Sequence, residues 1–426
     1  MDLNKILSKL ENCPCGKKHT FFTKAIEIGS GITKDTGKIL RDNGFDDELL
    51  LVADENTIAA AKGVRESLRE AGFSVKEQIY ENLMYARAEQ VDELLEISKD
   101  VKGIISVGTG SLNDICRVTA YKTGKKFCIF ATAPSMDGFA SDTAPIIKNN
   151  FKESWQAEQP LVIIGDTKVL AAAPVELKAS GFGDMVAKYI GLAEWKISNL
   201  LIGEYYCENI ADITKQAVEK IAALADKICE NNEEAAGAVM ESLVLTGLAM
   251  KLAGCSRPAS GAEHVVSHYL ECWKVNRGIW PEFHGKKVGV MTVILNRAYR
   301  NLAERVTEIE PTADKTDWDI VYSKYDERMH NDIKRVNTPT ITDKVDPVRL
   351  KECWGDIRKI ILETLPDDET LMKLMKAAGA ATTPEEVHVS DELLKDALQF
   401  HPYMRYRLLI TRLMPMLGMD IMDFVE

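Results

Sequence analysis

Long hydrophobic runs are absent from this chain. No stretch stays apolar for the roughly 20 positions that a membrane-spanning helix needs, and the opening residues MDLNKILSKLENC lack the apolar core of a secretory signal. A basic excess is absent too. With 53 Lys and Arg against 65 Asp and Glu, the formal charge of −12 argues against nucleic-acid partners and against an acidic membrane surface, since either needs a basic face. Any phosphate must be held by a local pocket. The nine cysteines, an odd number scattered from Cys13 to Cys353, form no disulfide framework and suit a reducing, cytoplasmic setting. There is no internal repeat and no low-complexity segment. Histidine is scarce, with seven in 426 residues, yet His264, His268 and His284 fall close together.

The 46% hydrophobic and 28% charged content describes a globular protein, and the length suggests two domains. Over residues 1–170, short apolar runs bounded by turn residues alternate with helical stretches. ELLLVAD (48–54), SVKEQIY (74–80), GIISVG (103–108), KFCIFAT (126–132) and PLVIIGD (160–166) read as strands, with TIAAAKGVRESLREAG and RAEQVDELLEISK as helices between them. Such alternation builds an α/β domain, a parallel sheet covered by helices, whose ligands bind beyond the carboxyl ends of the strands. From residue 171 to 426 the apolar period becomes that of helices, through to LLKDALQFHPYMRYRLLITRLMPML, and an all-α second domain is expected. The polar stretch near 310–345 reads as an exposed connection.

Asp184 in GFGDMVAKY, His264 in SGAEHVVSH and His284 in EFHGKKVGV are one carboxylate and two imidazoles in polar, Gly-flanked contexts. They can supply three ligands to a catalytic divalent metal and leave a fourth position open, or they are interior histidines bonded at helix ends. Cys13-Pro-Cys15-Gly-Lys-Lys-His19 also has a metal-binding look, but no further Cys or His pair lies nearby to complete four ligands, so a loop is the plain alternative. On the other side, Gly108-Thr-Gly110-Ser111-Leu112-Asn113-Asp114 follows a strand and opens a helix, which offers N–H groups to a pyrophosphate; a simple turn reads the same way. Asp54 ends a strand, where it can accept from ribose hydroxyls or cap the helix at Thr57. Thr132 to Ser141 ends another strand with hydroxyls and a carboxylate. Three such loops on one sheet edge outline a nucleotide cleft.

GTGSLND, TAPSMDGFAS, AAAPVELKASGFGDMVAKYIGLAEWKIS, SRPASGAEHVVSH and EFHGKKVGV, in that order, resemble the motifs of bacterial sn-glycerol-1-phosphate dehydrogenases. The wider group includes glycerol dehydrogenases, iron-type alcohol dehydrogenases and dehydroquinate synthases. The likeness runs from about residue 45 to the last helices and implies a dehydroquinate synthase-like fold: a Rossmann-like α/β dinucleotide-binding domain, then an all-α domain that binds metal and substrate. It implies that Asp184, His264 and His284 hold one divalent ion, zinc, nickel or iron. It also implies that Asp54, Gly110, Ser111, Leu112, Asn113, Asp114, Thr132, Ala133, Pro134, Ser135 and Ser141 contact NAD. Asp137, Asp184 and His268 would contact substrate, with Asp184 and His268 as the catalytic pair.

The reaction so implied interconverts dihydroxyacetone phosphate and sn-glycerol 1-phosphate by hydride transfer with NAD(H) or NADP(H). Asp54 favours NAD, because a 2′-phosphate beside it would meet like charge. Arg257 and Lys188 are candidates for the substrate phosphate, set against a helix-end ion pair and a partner for Asp184; Lys125-Lys126 and Lys286-Lys287 read as solvated turns. The alternatives are a polyol dehydrogenase for an unphosphorylated alcohol, a dehydroquinate-synthase-like lyase, and a non-catalytic binding protein. The resemblance implies a homodimer, while the apolar C-terminal stretch itself reads as core.

Overall fold

The computed structural model describes residues 3–148 and 151–426. Eight strands are formed: β1 (Ala25–Gly29), β2 (Glu48–Asp54), β3 (Ser74–Tyr80), β4 (Gly103–Gly108), β5 (Lys126–Ala131), β6 (Thr143–Lys148), β7 (Phe151–Gln156) and β8 (Val162–Asp166). Six make one parallel sheet in the order β1-β8-β5-β4-β2-β3. The inner strands are buried on both faces, from Leu49 to Asp54 in β2 and throughout β4, and they are the unbroken apolar runs that the sequence displays. From β2 the chain steps outward to β3, whereas from β4 it steps through β5 to β8 on the other side. The direction reverses between β2 and β4, where Asp54 and Gly108 end their strands, and such reversal points are where open parallel sheets take their ligands.

In the sheets, two features differ from the sequence reading. The edge strand β1, AIEIG, is too short and too polar at Glu27 to read as a strand on pattern alone. β6 and β7 form a separate antiparallel ribbon, obscured by Pro145 in the first strand and charged residues in the second. At the far edge, Asp166 closes the turn after β1. Its carboxylate accepts from the N–H groups of Gly31 and Thr33, both at 2.9 Å, and of Lys168 at 3.0 Å.

From Thr167 onward the described chain is helical, with 3-10 turns between helices. The helix Glu233–Ala253 is long and apolar enough to cross a membrane, yet its apolar window is 72% buried inside the protein, where it serves as a core helix. The 310–345 stretch corrects the reading above: it folds into the helices Trp318–Ser323 and His330–Val336, and Val321, Tyr325, Met329, Ile333, Ile341 and Val345 pack into the helical core. The C-terminal segment is not one long helix. After Asp391–Phe400 it breaks into short turns around Pro402 and Pro415, while Leu408, Leu409, Ile410 and Leu413 remain buried as core.

The helices Val175–Val186 and His284–Arg305 cross at glycines. A Cβ at Gly183 would lie 2.5 Å from the Gly285 carbonyl, one at Gly285 would lie 2.0 Å from the Ser180 carbonyl, and one at Gly289 would lie 3.0 Å from the Gly183 Cα. Backbone therefore meets backbone. A Cβ at Gly181 would come 1.9 Å from the Pro134 carbonyl, so the same helix is also pressed against the loop after β5.

Asp166→Ala should leave those N–H groups unpaired and cost on the order of 2–3 kcal/mol at pH 7, measured by urea unfolding. Burial works against the charged carboxylate, but the Thr33 hydroxyl and the three N–H donors outweigh it and lower the Asp166 pKa. A lowered folded pKa contributes stability above the unfolded value, about 3.9, and loses it as the pH falls through the folded one. The deficit of the variant should therefore shrink between pH 5 and pH 3.

Candidate active site

The glycine crossing delivers Asp184, near the end of its helix, to His284, the first residue of the helix it crosses. His264 enters from the first turn of Ala262–Val275, and His268 lies one turn further along the same face. One ligand atom from each of Asp184, His264 and His284 lies within 4.8 Å of the others. His264 Nε2 is 3.2 Å from Asp184 Oδ1, and the His284 ring centroid is 5.3 Å from that of His264 and 5.9 Å from that of His268.

Asp184 is fully buried and held from two sides. Its Oδ2 accepts from the Asp137 N–H at 2.8 Å, and its Oδ1 accepts from Lys188 Nζ at 3.0 Å. Lys188 reaches Asp137 Oδ2 at 2.7 Å as well, so one buried ammonium joins the two carboxylates. Burial alone would raise Asp184; Lys188, His264 and His284 outweigh it and keep the group well below the usual carboxylate range. Asp137 is pushed up instead, by burial and by the Asp184 charge.

Behind His264 stands a carboxylate that no motif announced. His264 Nδ1 donates to buried Glu263 Oε1 at 2.7 Å, which also accepts from the Gly261 N–H at 2.7 Å, and this orients Nε2 toward Asp184. Burial disfavours a charged His264, yet Asp184 and Glu263 raise it to about 9. Burial pushes His284 down to about 3 and His268 well below its usual value. Two carboxylates thus draw a positive charge to the point where the three side chains converge. One carboxylate and two imidazoles at this spacing fit a divalent ion by donor chemistry and by charge, with a fourth position left for a substrate oxygen.

A second cluster adjoins His268. Glu271, one turn after it, takes Lys152 Nζ at 2.7 Å on Oε1, while its Oε2 lies 3.5 Å from Lys287 Nζ and 3.9 Å from His268 Nδ1. Lys152 comes from β7, and Lys287 stands one turn after His284. Burial opposes ionisation of Glu271, but the two lysines hold it well below the usual range. Lys287 is almost fully buried and is drawn down to about 8 by that burial, so it is no solvated turn; Lys286, half-buried, pairs with Glu176 and Glu282. Arg405 lines the same cavity of about 430 Å³ as Lys152. Arg257 is turned elsewhere, paired with Glu204 through Nε at 3.0 Å and Nη2 at 2.6 Å. Lys188 serves the carboxylates.

At the sheet edge, Gly110 has the left-handed φ of 43° and begins the helix Gly110–Thr123. The Leu112 side chain is core and its N–H meets the Thr109 carbonyl at 3.2 Å, while Asn113 Oδ1 accepts from the Ser106 hydroxyl at 2.7 Å. Ser111 donates to the Met84 carbonyl. Asp114 is buried, and burial pushes it up to about 6 against the pull of Arg117. The Thr109 and Ser135 hydroxyls meet at 2.8 Å, joining this turn to the run Thr132, Ala133, Pro134, Ser135, and Ser141 bonds within its own turn to Thr143. Asp54 Oδ1 accepts from the Thr57 N–H at 2.8 Å as a helix cap.

Residues 27–174 match the family described as iron-containing alcohol dehydrogenase. A probable glycerol dehydrogenase from Sinorhizobium meliloti superposes with a TM-score of 0.64 at 14% identity, over 96% of this chain and 99% of that one. An NADH-dependent butanol dehydrogenase from Thermotoga maritima gives 0.62 at 16% identity, over 94% and 97%. The fold is that of the iron-containing alcohol and glycerol dehydrogenases, as the motifs implied. Among curated relatives, a glycerol-1-phosphate dehydrogenase (NAD(P)+) from Geobacillus stearothermophilus is 30% identical over 431 aligned residues, 100% of this chain and 99% of the relative. One from Methanothermobacter thermautotrophicus is 33% identical over 273 residues, 64% of this chain and 77% of the relative. The chain belongs to the glycerol-1-phosphate dehydrogenase family.

Gly285→Ala should force the two long helices apart and lower stability by about 1–3 kcal/mol. It should also weaken divalent-ion binding at least tenfold, read by titration calorimetry. Gly355, in a helix where nothing lies within 4 Å of an added Cβ, is the control, and Gly355→Ala should leave ion binding unchanged and should not lower stability.

Proposed function

We propose that this chain interconverts dihydroxyacetone phosphate and sn-glycerol 1-phosphate, with NAD(H) or NADP(H) as hydride carrier and one divalent ion on Asp184, His264 and His284. The observation that carries the reading is the Asp137 N–H bonded to Asp184, which ties the loop ending β5 at the sheet edge to the convergent carboxylate and imidazoles. Hydride carrier and reacting carbon then share one cleft. When bound, the ion supplies Lewis acidity at the substrate oxygen, and the nicotinamide supplies the hydride chemistry.

The remaining steps fall to the chain. Asp184, clamped by Asp137 and Lys188, keeps its charge and position through the reaction. His268, kept neutral by burial with Lys152 and Arg405 nearby, accepts the hydroxyl proton at Nε2 while Nδ1 faces Glu271. Lys152 and Lys287 against Glu271 leave a positive excess beside His268, which suits a phosphate dianion and favours this substrate over an unphosphorylated polyol. The nucleotide lies along Asp54, the turn from Gly110 to Asp114, the run Thr132–Ser135 and Ser141. Asp54 discriminates for NAD through its charge near the ribose. A homodimer in the cytoplasm is the working form, from the family likeness and nine cysteines that form no disulfide.

The test is a substrate panel on metal-reconstituted protein. NADH should accumulate steadily with sn-glycerol 1-phosphate and only weakly with glycerol; turnover of glycerol at equal or greater kcat/KM would overturn the assignment. Lys287→Met and Lys152→Met should each raise the KM for the phosphorylated substrate by on the order of tenfold or more and leave the KM for NAD within about twofold. Asp54→Gly should shift the NAD-to-NADP ratio of kcat/KM toward NADP by on the order of tenfold. An unchanged ratio would reduce Asp54 to a helix cap.

A further inference from the structure

The CPCGKKH segment lacks a fourth ligand in its own neighbourhood, and the fold supplies one. Cys207, at the start of the helix Glu208–Ala222, meets Cys13 from 194 positions away, with the two sulfurs 3.5 Å apart. Cys15 Sγ lies 3.2 Å from His19 Nε2, and one ligand atom from each of Cys13, Cys15, His19 and Cys207 lies within 4.8 Å of the others. A sulfur separation of 3.5 Å is far beyond a disulfide bond of about 2.05 Å. It approaches the edge, about 3.8 Å, of a tetrahedron of sulfurs with zinc–sulfur bonds of about 2.3 Å.

The surroundings prepare these atoms for a cation. His19 is buried, and its Nδ1 donates to the Leu252 carbonyl at 2.9 Å, which leaves the Nε2 lone pair facing the sulfurs. The Tyr205 hydroxyl donates to Cys15 Sγ and the Asn209 amide to Cys13 Sγ, each at 3.4 Å, as donors do around zinc thiolates. Gly16, at a left-handed φ of 77°, turns the chain so that its N–H reaches the Cys13 carbonyl at 3.2 Å and both cysteines face inward.

We infer that Cys13, Cys15, His19 and Cys207 bind one zinc ion in a closed Cys3His site, separate from the Asp184 centre. Three thiolates and an imidazole fill a tetrahedron and leave no position for substrate, so the ion is structural, and the soft donor set selects zinc over harder ions. It staples the segment before β1 to the start of the Cys207 helix and, through His19 and Leu252, to the end of Glu233–Ala253.

Metal analysis of purified holoenzyme tests the assignment. Wild type grown with zinc should hold about two equivalents of metal per chain, His264→Ala about one equivalent of zinc, and Cys207→Ser should lose the zinc that His264→Ala retains. Should Cys207→Ser fail to fold, cobalt-substituted His264→Ala supplies the reading. Thiolate-to-cobalt charge transfer and intense tetrahedral d–d bands are expected, and they should weaken in His19→Gln/His264→Ala. Zinc-free His264→Ala, a cobalt spectrum without thiolate bands, or non-reducing thiol titration showing a Cys13–Cys207 disulfide would each overturn the proposal.

Discussion

Asp184 sits out of reach of water with its charge intact, and the rest of the molecule is arranged around keeping it so. An unpaired carboxylate at that depth would neutralise itself or unfold its surroundings. Lys188 and the Asp137 N–H prevent this, and both contacts need the Asp184 helix close to its neighbours. That closeness comes from Gly181 against Pro134 and from Gly183 against Gly285. One electrostatic requirement thus fixes the approach of the two long helices and of the loop leaving the parallel sheet.

The polar interior is divided by sign. Around His264, Asp184 and Glu263 gather negative charge; one turn away, Lys152 and Lys287 flank Glu271, and Arg405 lines the same cavity as Lys152. The two halves suit opposite ends of a small phosphorylated alcohol. The net charge of −12 does not oppose this, because the cations are local and the innermost, Lys287, is buried, where screening by salt is weak.

Much of the fold was legible because burial on both faces writes itself as unbroken apolar runs, as in LLLVA of β2 and IISV of β4. What hid was short or at an edge: AIEIG, the ribbon interrupted by Pro145, and the 310–345 helices, whose buried positions are thinly spaced among charges. Asp184, His264 and His284 stood out because glycines flank them, and Gly183 and Gly285 prove to be where backbones touch. Glu271 and Lys287 lay at helical spacing from His268 and His284, so a signal existed, but charged residues on a helix ordinarily face solvent. Lys152 carried none. Cys207 could not be paired with CPCGKKH by any local pattern, since only the tertiary fold joins segments so far apart.

The central claim is that a divalent ion and a phosphate occupy neighbouring, oppositely charged halves of one cleft. A crystal structure of the metal-loaded protein with sn-glycerol 1-phosphate, phased for anomalous scattering, tests it most directly. The account predicts an ion bonded to Asp184, His264 Nε2 and His284 at about 2.0–2.2 Å, with the phosphate within hydrogen-bonding reach of Lys152 and Lys287. An anomalous peak away from those three side chains, or a phosphate bound at Arg257 instead, would contradict it.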